Sequence, residues 1–278
     1  MAIQHFIPTV WSESMLRALD EAYVGIANCN REFEGDILEK GSRVKICGLD
    51  PVSVGNYVKN TDLDAPETLS DNYKELVIDQ AKYFNFQIDD VDQAQASPRL
   101  MELAVKNAAN ALAKVAEKYV YSFNCLANYT VNVNTPSADN IIDYIIKART
   151  ILLRENVSDP SDIVVEVTPE VAGLILKAKV KLSSDNSEVL EKGCIGSIGG
   201  CKIFVSANIP VCNEDATPYA QCIVRSKRAI AFAEQLSEVE AYRPELRFAD
   251  AMKGLHLYGA KIVYPDEMVM LNVAMNFD

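Results

Sequence analysis

The residues best suited to chemistry fall in a few short stretches. Asp89-Asp90-Val91-Asp92 gathers carboxylates of the kind that bind metals or move protons. The stretch lacks the glycine and the distal glutamate of a calcium loop. It also stands where an alternating segment gives way to a helical one, and acids at a helix start cap free N–H groups and suit the helix dipole. Gly193, Gly196, Gly199 and Gly200 crowd together as glycines do in phosphate loops. No Gly-Lys-Ser/Thr follows, and the next segment reads as a strand, so neither a Walker loop nor a dinucleotide fingerprint is spelled out. A tight hairpin accounts for these glycines better. The two histidines, His5 and His256, stand alone, with no His-Glu-x-x-His or Gly-x-Ser-x-Gly in the chain. The cysteines are Cys29, Cys47, Cys125, Cys194, Cys201, Cys212 and Cys222. Their number is odd and no pair has Cys-x-x-Cys spacing, so they read as small buried hydrophobes in a reducing compartment. Zinc held by Cys194, Cys201, Cys212 and Cys222 is the alternative, although those spacings match no familiar zinc module. No catalytic residue, metal or cofactor is expected.

The elements around these stretches say more. A chain of 278 residues, 49% hydrophobic and 24% charged, has an ordinary globular balance and buries a sizeable core. No run of apolar residues is long enough to span a membrane, and the N-terminus lacks a signal-peptide pattern. The expectation is a protein that stays in the cytoplasm where it is made. A net charge of -12 argues against a dedicated nucleic-acid binder, though it suits a wall that does not stick to DNA.

Phe84, Phe86 and Ile88 alternate with Asn85, Gln87 and Asp89, the period of a half-buried strand. A long helix is expected over 97–127, with Ser97 as cap, Pro98 in the first turn and Met101, Ala104, Val105, Ala108, Leu112, Val115, Tyr119 and Phe123 on its apolar face. At about 1.5 Å per residue it would span roughly 45 Å. A second helix is read over 138–154, a buried strand at Ile163–Val167, and a third helix opening at Thr168-Pro169-Glu170. With the glycine hairpin, these suggest a compact α/β lobe over 131–240. Strand-like patterns fill the remainder to Val273. Met15, Leu16, Leu19, Ala22 and Tyr23 mark a short amphipathic helix in an N-terminal arm over 1–34, which also holds Trp11, the only tryptophan.

The span 35–78 behaves differently. Gly35-Asp36-Ile37 and Gly41–Ile46 read as short strands, the second with Val44 and Ile46 on one face and Arg43 and Lys45 on the other. Few bulky apolar residues lie between Gly48 and Leu69. Such a stretch cannot bury itself. It is either disordered or a β-ribbon supported from outside the subunit, and the shared parity of Val52, Val54 and Val58 favours the ribbon. Residues 36–60 carry a charge of +1 and residues 61–92 a charge of -7. A solvated surface explains this, as does a basic ribbon tip that meets an acidic patch on another copy. The candidate contact residues between subunits are Trp11, Lys40, Arg43, Lys45, Val52, Val54, Tyr57, Val58, Lys59, Asp62, Asp64 and Glu67.

Three blocks carry a family resemblance. The first is Ile7-Pro8-Thr9-Val10-Trp11-Ser12 with Asn30-Arg31-Glu32-Phe33-Glu34-Gly35-Asp36. The second is Gly55-Asn56-Tyr57 through Asn60-Thr61, with Asp79-Gln80-Ala81-Lys82-Tyr83-Phe84-Asn85-Phe86 and Asp89 through Gln95. The third runs from Ile195-Gly196-Ser197-Ile198-Gly199-Gly200 to Val205-Ser206-Ala207-Asn208-Ile209-Pro210. Together they resemble the major capsid (coat) proteins of tailed bacteriophages, in the family that includes the Salmonella podovirus coat. Where family members often show Gly-Asp-Thr-Val, this chain has Gly41-Ser42-Arg43-Val44.

The resemblance implies an α+β chain with the Hong Kong 97-like capsid fold. It would comprise an N-terminal arm (1–34), an extended loop (35–78), a peripheral domain (79–130) with the spine helix 97–127, an axial domain (131–240) and return strands of the peripheral domain (241–278). The implied function is a shell tile that forms pentamers and hexamers around double-stranded phage DNA, located in the virion and assembled in the host cytoplasm. Its partners would be copies of itself, a portal protein, DNA held without sequence preference and, since no scaffold-like extension precedes the arm, a separate scaffolding protein. Rival readings are a non-viral shell of the same fold and a cytoplasmic hydrolase.

Overall fold

The computed structural model describes residues 6–33, 41–49, 59, 71–89, 100–155, 157, 159–182, 194–214, 217–246 and 248–276. Ten of its strands fall into two sheets that share the chain in alternating pieces, and the other two form a separate ribbon. Strand β3 (Gln80–Asp89) is an edge of a three-stranded antiparallel sheet, with β11 (Ala249–Ile262) in the centre and β10 (Ile230–Tyr242) on the far side. The alternation expected for β3 is present: Phe84 is buried, Phe86 and Ile88 half-buried, and Asn85, Gln87 and Asp89 exposed.

Helices α1 (Phe6–Ala22) and α2 (Leu100–Tyr121) pack together beside this sheet. The inward faces of α2 (Val105, Ala109, Leu112, Ala116, Val120) and α1 (Met15, Leu19) meet Phe84, Phe232, Met252 and Tyr258 in one apolar cluster. The amphipathic helix read over 15–23 therefore begins earlier, at Phe6, and its apolar side is core.

The other sheet has seven strands. These are β4 (Tyr129–Val133), β5 (Ile163–Val167), β6 (Cys194–Ile198), β7 (Cys201–Val205), β8 (Val211–Glu214), β9 (Thr217–Ser226) and β12 (Met268–Ala274). Their order is β4-β12-β9-β5-β7-β6, with β8 paired to β9. Helices α3 (Ile141–Arg154) and α4 (Pro169–Leu182) contribute Ile141, Ile145, Leu152, Val171 and Ile175 to its core. The glycine hairpin forms as read: Ile198 pairs with Cys201, and the linking Gly199 and Gly200 have φ of 59° and 86°. A two-residue loop with both φ positive favours glycine at both places.

Two features depart from the sequence reading. The segment expected as one helix over 97–127 is α-helical over Leu100–Tyr121 and continues as a 3₁₀ turn over Ser122–Leu126, while Ser97 and Pro98 lie outside the described residues. The reason is local competition for backbone bonds. Ser122 Oγ donates to the Tyr119 carbonyl, and the Asn124 side chain turns away to the Gln221 carbonyl. The α-helical part is about 33 Å long at 1.5 Å per residue. The second departure concerns the division at 240. It falls inside β10, which pairs with β11 from Ile230 onward, and β12 belongs to the seven-stranded sheet, between β4 and β9. Strand β12 is buried on both faces along nearly its whole length. Such a strand needs an interior position with both faces covered.

Candidate assembly surface

The ribbon starts from a firm base. Strands β1 (Arg43–Leu49) and β2 (Asp71–Val77) pair antiparallel from Arg43↔Val77 to Leu49↔Asp71. The two-residue period puts Val44, Ile46 and Leu76 inward, against Ala231, Ala233, Leu257 and Val263 of the three-stranded sheet and its exit. At Gly259 the ribbon's exit comes so close that a Cβ would lie 2.2 Å from the Val77 carbonyl oxygen. The outward face is polar and charged. Arg43 pairs with Glu75 at 2.9 Å, and Lys45 Nζ sits 4.9 Å from the centre of the Tyr73 ring. Lys74 reaches the other way, donating to the Val263 carbonyl. Tyr73 and Val77 remain substantially exposed.

Of the contact residues expected from sequence, Arg43 and Lys45 lie on this outward face and are exposed, and Lys59 is exposed in a turn. Trp11 falls on α1, with its side chain outside the described residues. Lys40, Val52, Val54, Tyr57, Val58, Asp62, Asp64 and Glu67 also lie outside them, as do the strand read at Gly35–Ile37 and the acids Asp90 and Asp92. Asp89 ends β3, exposed. Arg43 and Lys45 already have intrachain partners, so a neighbour would compete with weak surface contacts of about 0–1 kcal/mol each.

Ionisable groups do converge, but in the interior. The Glu234 carboxylate on β10 accepts from Tyr23 Oη at 2.5 Å and from Arg31 Nη2 at 2.9 Å, and lies 2.8 Å from His256 Nε2. Burial pushes the Tyr23 phenol well above its usual range, and the neighbouring Glu234 reinforces this. Arg225 on β9 donates to both oxygens of Glu166 on β5 at 3.1 Å, and to the carbonyls of Gly25 and Asn28. Burial raises the Glu166 carboxyl, opposed by the Arg225 guanidinium and the Asn28 amide. Glu117 on α2 accepts from the Val24 and Gly25 amides through one oxygen and from Asn208 and Ser206 through the other.

These groups have the donors and acceptors of acid–base chemistry. Most of them are closed off from solvent: His256 and Glu166 are 0% exposed, Arg225 1% and Glu117 2%. Glu117, Glu166 and Arg225, buried and hydrogen-bonded on more than one side, hold chain segments together, whereas His256 Nδ1 is buried with no partner among the described residues. Sequence reasoning missed them. A glutamate in the middle of Ile-Val-Val-Glu-Val and an arginine closing Cys-Ile-Val-Arg were the available signals, since a charge in an apolar strand needs a buried partner. The cysteines considered for zinc are scattered in environment: Cys201 and Cys222 are buried, Cys194 half-buried and Cys212 exposed. No group of three or more His, Cys, Asp or Glu among the described residues could hold a metal.

No family model and no curated protein matches this sequence. Solved structures do. A chain from Mycobacterium phage Che8 is 29% identical, with a TM-score of 0.67 over 88% of this chain and 90% of that one. A chain from the capsid of cyanophage P-SCSP1u is 14% identical, with a TM-score of 0.65 over 85% of each chain. A chain from the mature capsid of bacteriophage PhiM1 is 16% identical, with a TM-score of 0.62 over 90% of this chain and 88% of that one. A ribbon rooted on a three-stranded sheet, a long helix beside it and a seven-stranded lobe, matched along nearly the full chain, make this the Hong Kong 97-like capsid fold.

Proposed function

We propose that this chain is the major capsid protein of a tailed phage, a tile that assembles with copies of itself into the shell around double-stranded DNA. The observation that carries this reading is the length of the match: the capsid fold extends over 85–90% of the chain. The ribbon supports it. Its base is anchored on the chain's own sheet, whereas the sequence joining Leu49 to Asp71 is too poor in bulky apolar residues to form its own core. A neighbouring tile would supply the missing support, partly through main-chain bonds.

Contacts of this kind are heterologous and close into rings, here of five and six. Many modest interfaces then add up through multivalency. In domain terms, residues 1–34 are the arm, 35–78 the extended loop and α2 the spine. The peripheral part gathers β3, β10 and β11, and the axial part holds the seven-stranded sheet, including β12. Scaffold and portal proteins are the further partners, DNA is enclosed without sequence preference, and the assembled location is the virion. Coexpression with a scaffold, followed by negative-stain microscopy, tests this reading. Closed shells of uniform size support it, and a chain that forms no shell under any such condition refutes it.

A further inference from the structure

We infer that residues 23–31 form a strap that fixes the angle between the two sheets. The covalent crossings between the sheets cluster in one place. Strand β9 enters β10 through the turn Lys227–Ala229, β11 enters β12 through Pro265–Glu267, and α2 leads through Asn128 into β4. The first two touch directly: the Val263 and Tyr264 amides both donate to the Ala229 carbonyl, at 2.8 and 3.2 Å. Glu267 adds bonds from Ser226 and Arg228. The third touches the second, since the Asn128 amide donates to the Pro265 carbonyl and its side chain to Asp266. Crossings gathered at one spot resist separation of the sheets but oppose rotation about that spot only weakly. A separate attachment is needed to set the angle.

The strap is that attachment. Toward the seven-stranded sheet, Arg225 holds the Asn28 carbonyl at 2.9 Å and the Gly25 carbonyl at 3.0 Å. Asn28 Nδ2 donates to Glu166 on β5 at 3.1 Å, and Glu117, on α2 beside the three-stranded sheet, takes the Val24 and Gly25 amides with one oxygen and Asn208 Nδ2, beyond β7, at 2.6 Å with the other. Toward the three-stranded sheet, the Asn30 amide donates to the Ile230 carbonyl and its own carbonyl accepts from the Phe232 amide, both at 2.9 Å. Tyr23 and Arg31 close on Glu234. Each side is thus held by a buried carboxylate and by backbone or guanidinium bonds, with Ile26, Asn28 and Cys29 buried between. The fit leaves no slack at Gly25, where a Cβ would stand 2.4 Å from Tyr121 Oη. This inference concerns the single chain and is independent of shell formation.

The test uses the unassembled full-length chain with spin labels, carried by non-natural amino acids, at exposed Tyr83 on β3 and exposed Lys147 on α3. Pulsed electron resonance should give one narrow distance distribution for the parent protein. In Glu117→Gln, amide exchange over 24–30 should become about tenfold faster, and the distance distribution should broaden while exchange within β5 and β11 is unchanged. Gly25→Ala, which displaces the strap sterically and removes no charge, should broaden the distribution in the same way and serves if the first variant does not fold. A distribution that stays narrow while the strap amides are freed overturns the inference. So does a Glu117→Gln chain whose strap amides exchange at the parent rate.

Discussion

Replacing Arg225 by methionine keeps much of the side chain's bulk and removes the guanidinium. In the parent chain that group, 1% exposed, satisfies both oxygens of Glu166 and two strap carbonyls, at 2.9–3.1 Å. Without it Glu166, 0% exposed, keeps only the Asn28 amide as a partner among the described residues, at 3.1 Å. Breaking a buried pair from one side costs about 3–5 kcal/mol, because the surviving charge stays desolvated. For a chain of this size that corresponds to a melting temperature lower by roughly 10 °C. Replacing both partners, as in Arg225→Met with Glu166→Met, removes the stranded charge and should recover most of the loss. Denaturant unfolding of the unassembled parent, both single variants and the double variant closes the cycle. A loss below about 1 kcal/mol in Arg225→Met, or a double variant as weak as the single one, would refute the assignment of Glu166 as a charge held by Arg225.

Other outcomes follow from the same coordinates. Gly259→Ala drives a Cβ into the Val77 carbonyl, so it should cost about 1–3 kcal/mol and make the β1–β2 ribbon the first site of limited proteolysis. A short Gly-Ser link in place of the connection between Leu49 and Asp71 should leave the melting transition of the monomer intact and abolish shell formation under the microscope. Burial pushes the Cys222 thiol from 9.0 up to about 12 and the Tyr258 phenol from 10.0 up to about 12. Their contributions to stability are present below the unfolded values and lost as pH rises toward the folded ones. The unfolding free energy should therefore fall above roughly pH 9 for Cys222 and above roughly pH 10 for Tyr258, by up to about 1.4 kcal/mol per pH unit for each group. Thiol labelling at mildly alkaline pH should modify exposed Cys125 and Cys212 quickly and spare Cys29, Cys201 and Cys222 until unfolding.

Local pattern made much of this architecture legible. The faces of Arg43-Val44-Lys45-Ile46, the alternation from Phe84 to Asp89 and the paired glycines of the hairpin each specify backbone geometry within a few residues, and each reads correctly. The topology was harder. Nothing local to Met268–Ala274 says which sheet it joins; only its burial on both faces implies an interior place. The strap was invisible for the same reason. Glu234 and Tyr23 are 211 positions apart, and Arg225 and Gly25 are 200 apart. Such pairs leave a trace only as charges set within apolar strands. The base of the ribbon was legible in the opposite way, through the inward Val44 and Ile46 that alternate with Arg43 and Lys45.

The most direct test of the central claim is the size of the particle formed by the purified chain with a scaffold present, read by electron microscopy with light scattering. A shell tile gives closed particles of one or a few sizes, and loses them when the link between Leu49 and Asp71 is removed. A chain that stays monomeric throughout, or that builds the same particles without that link, contradicts the account.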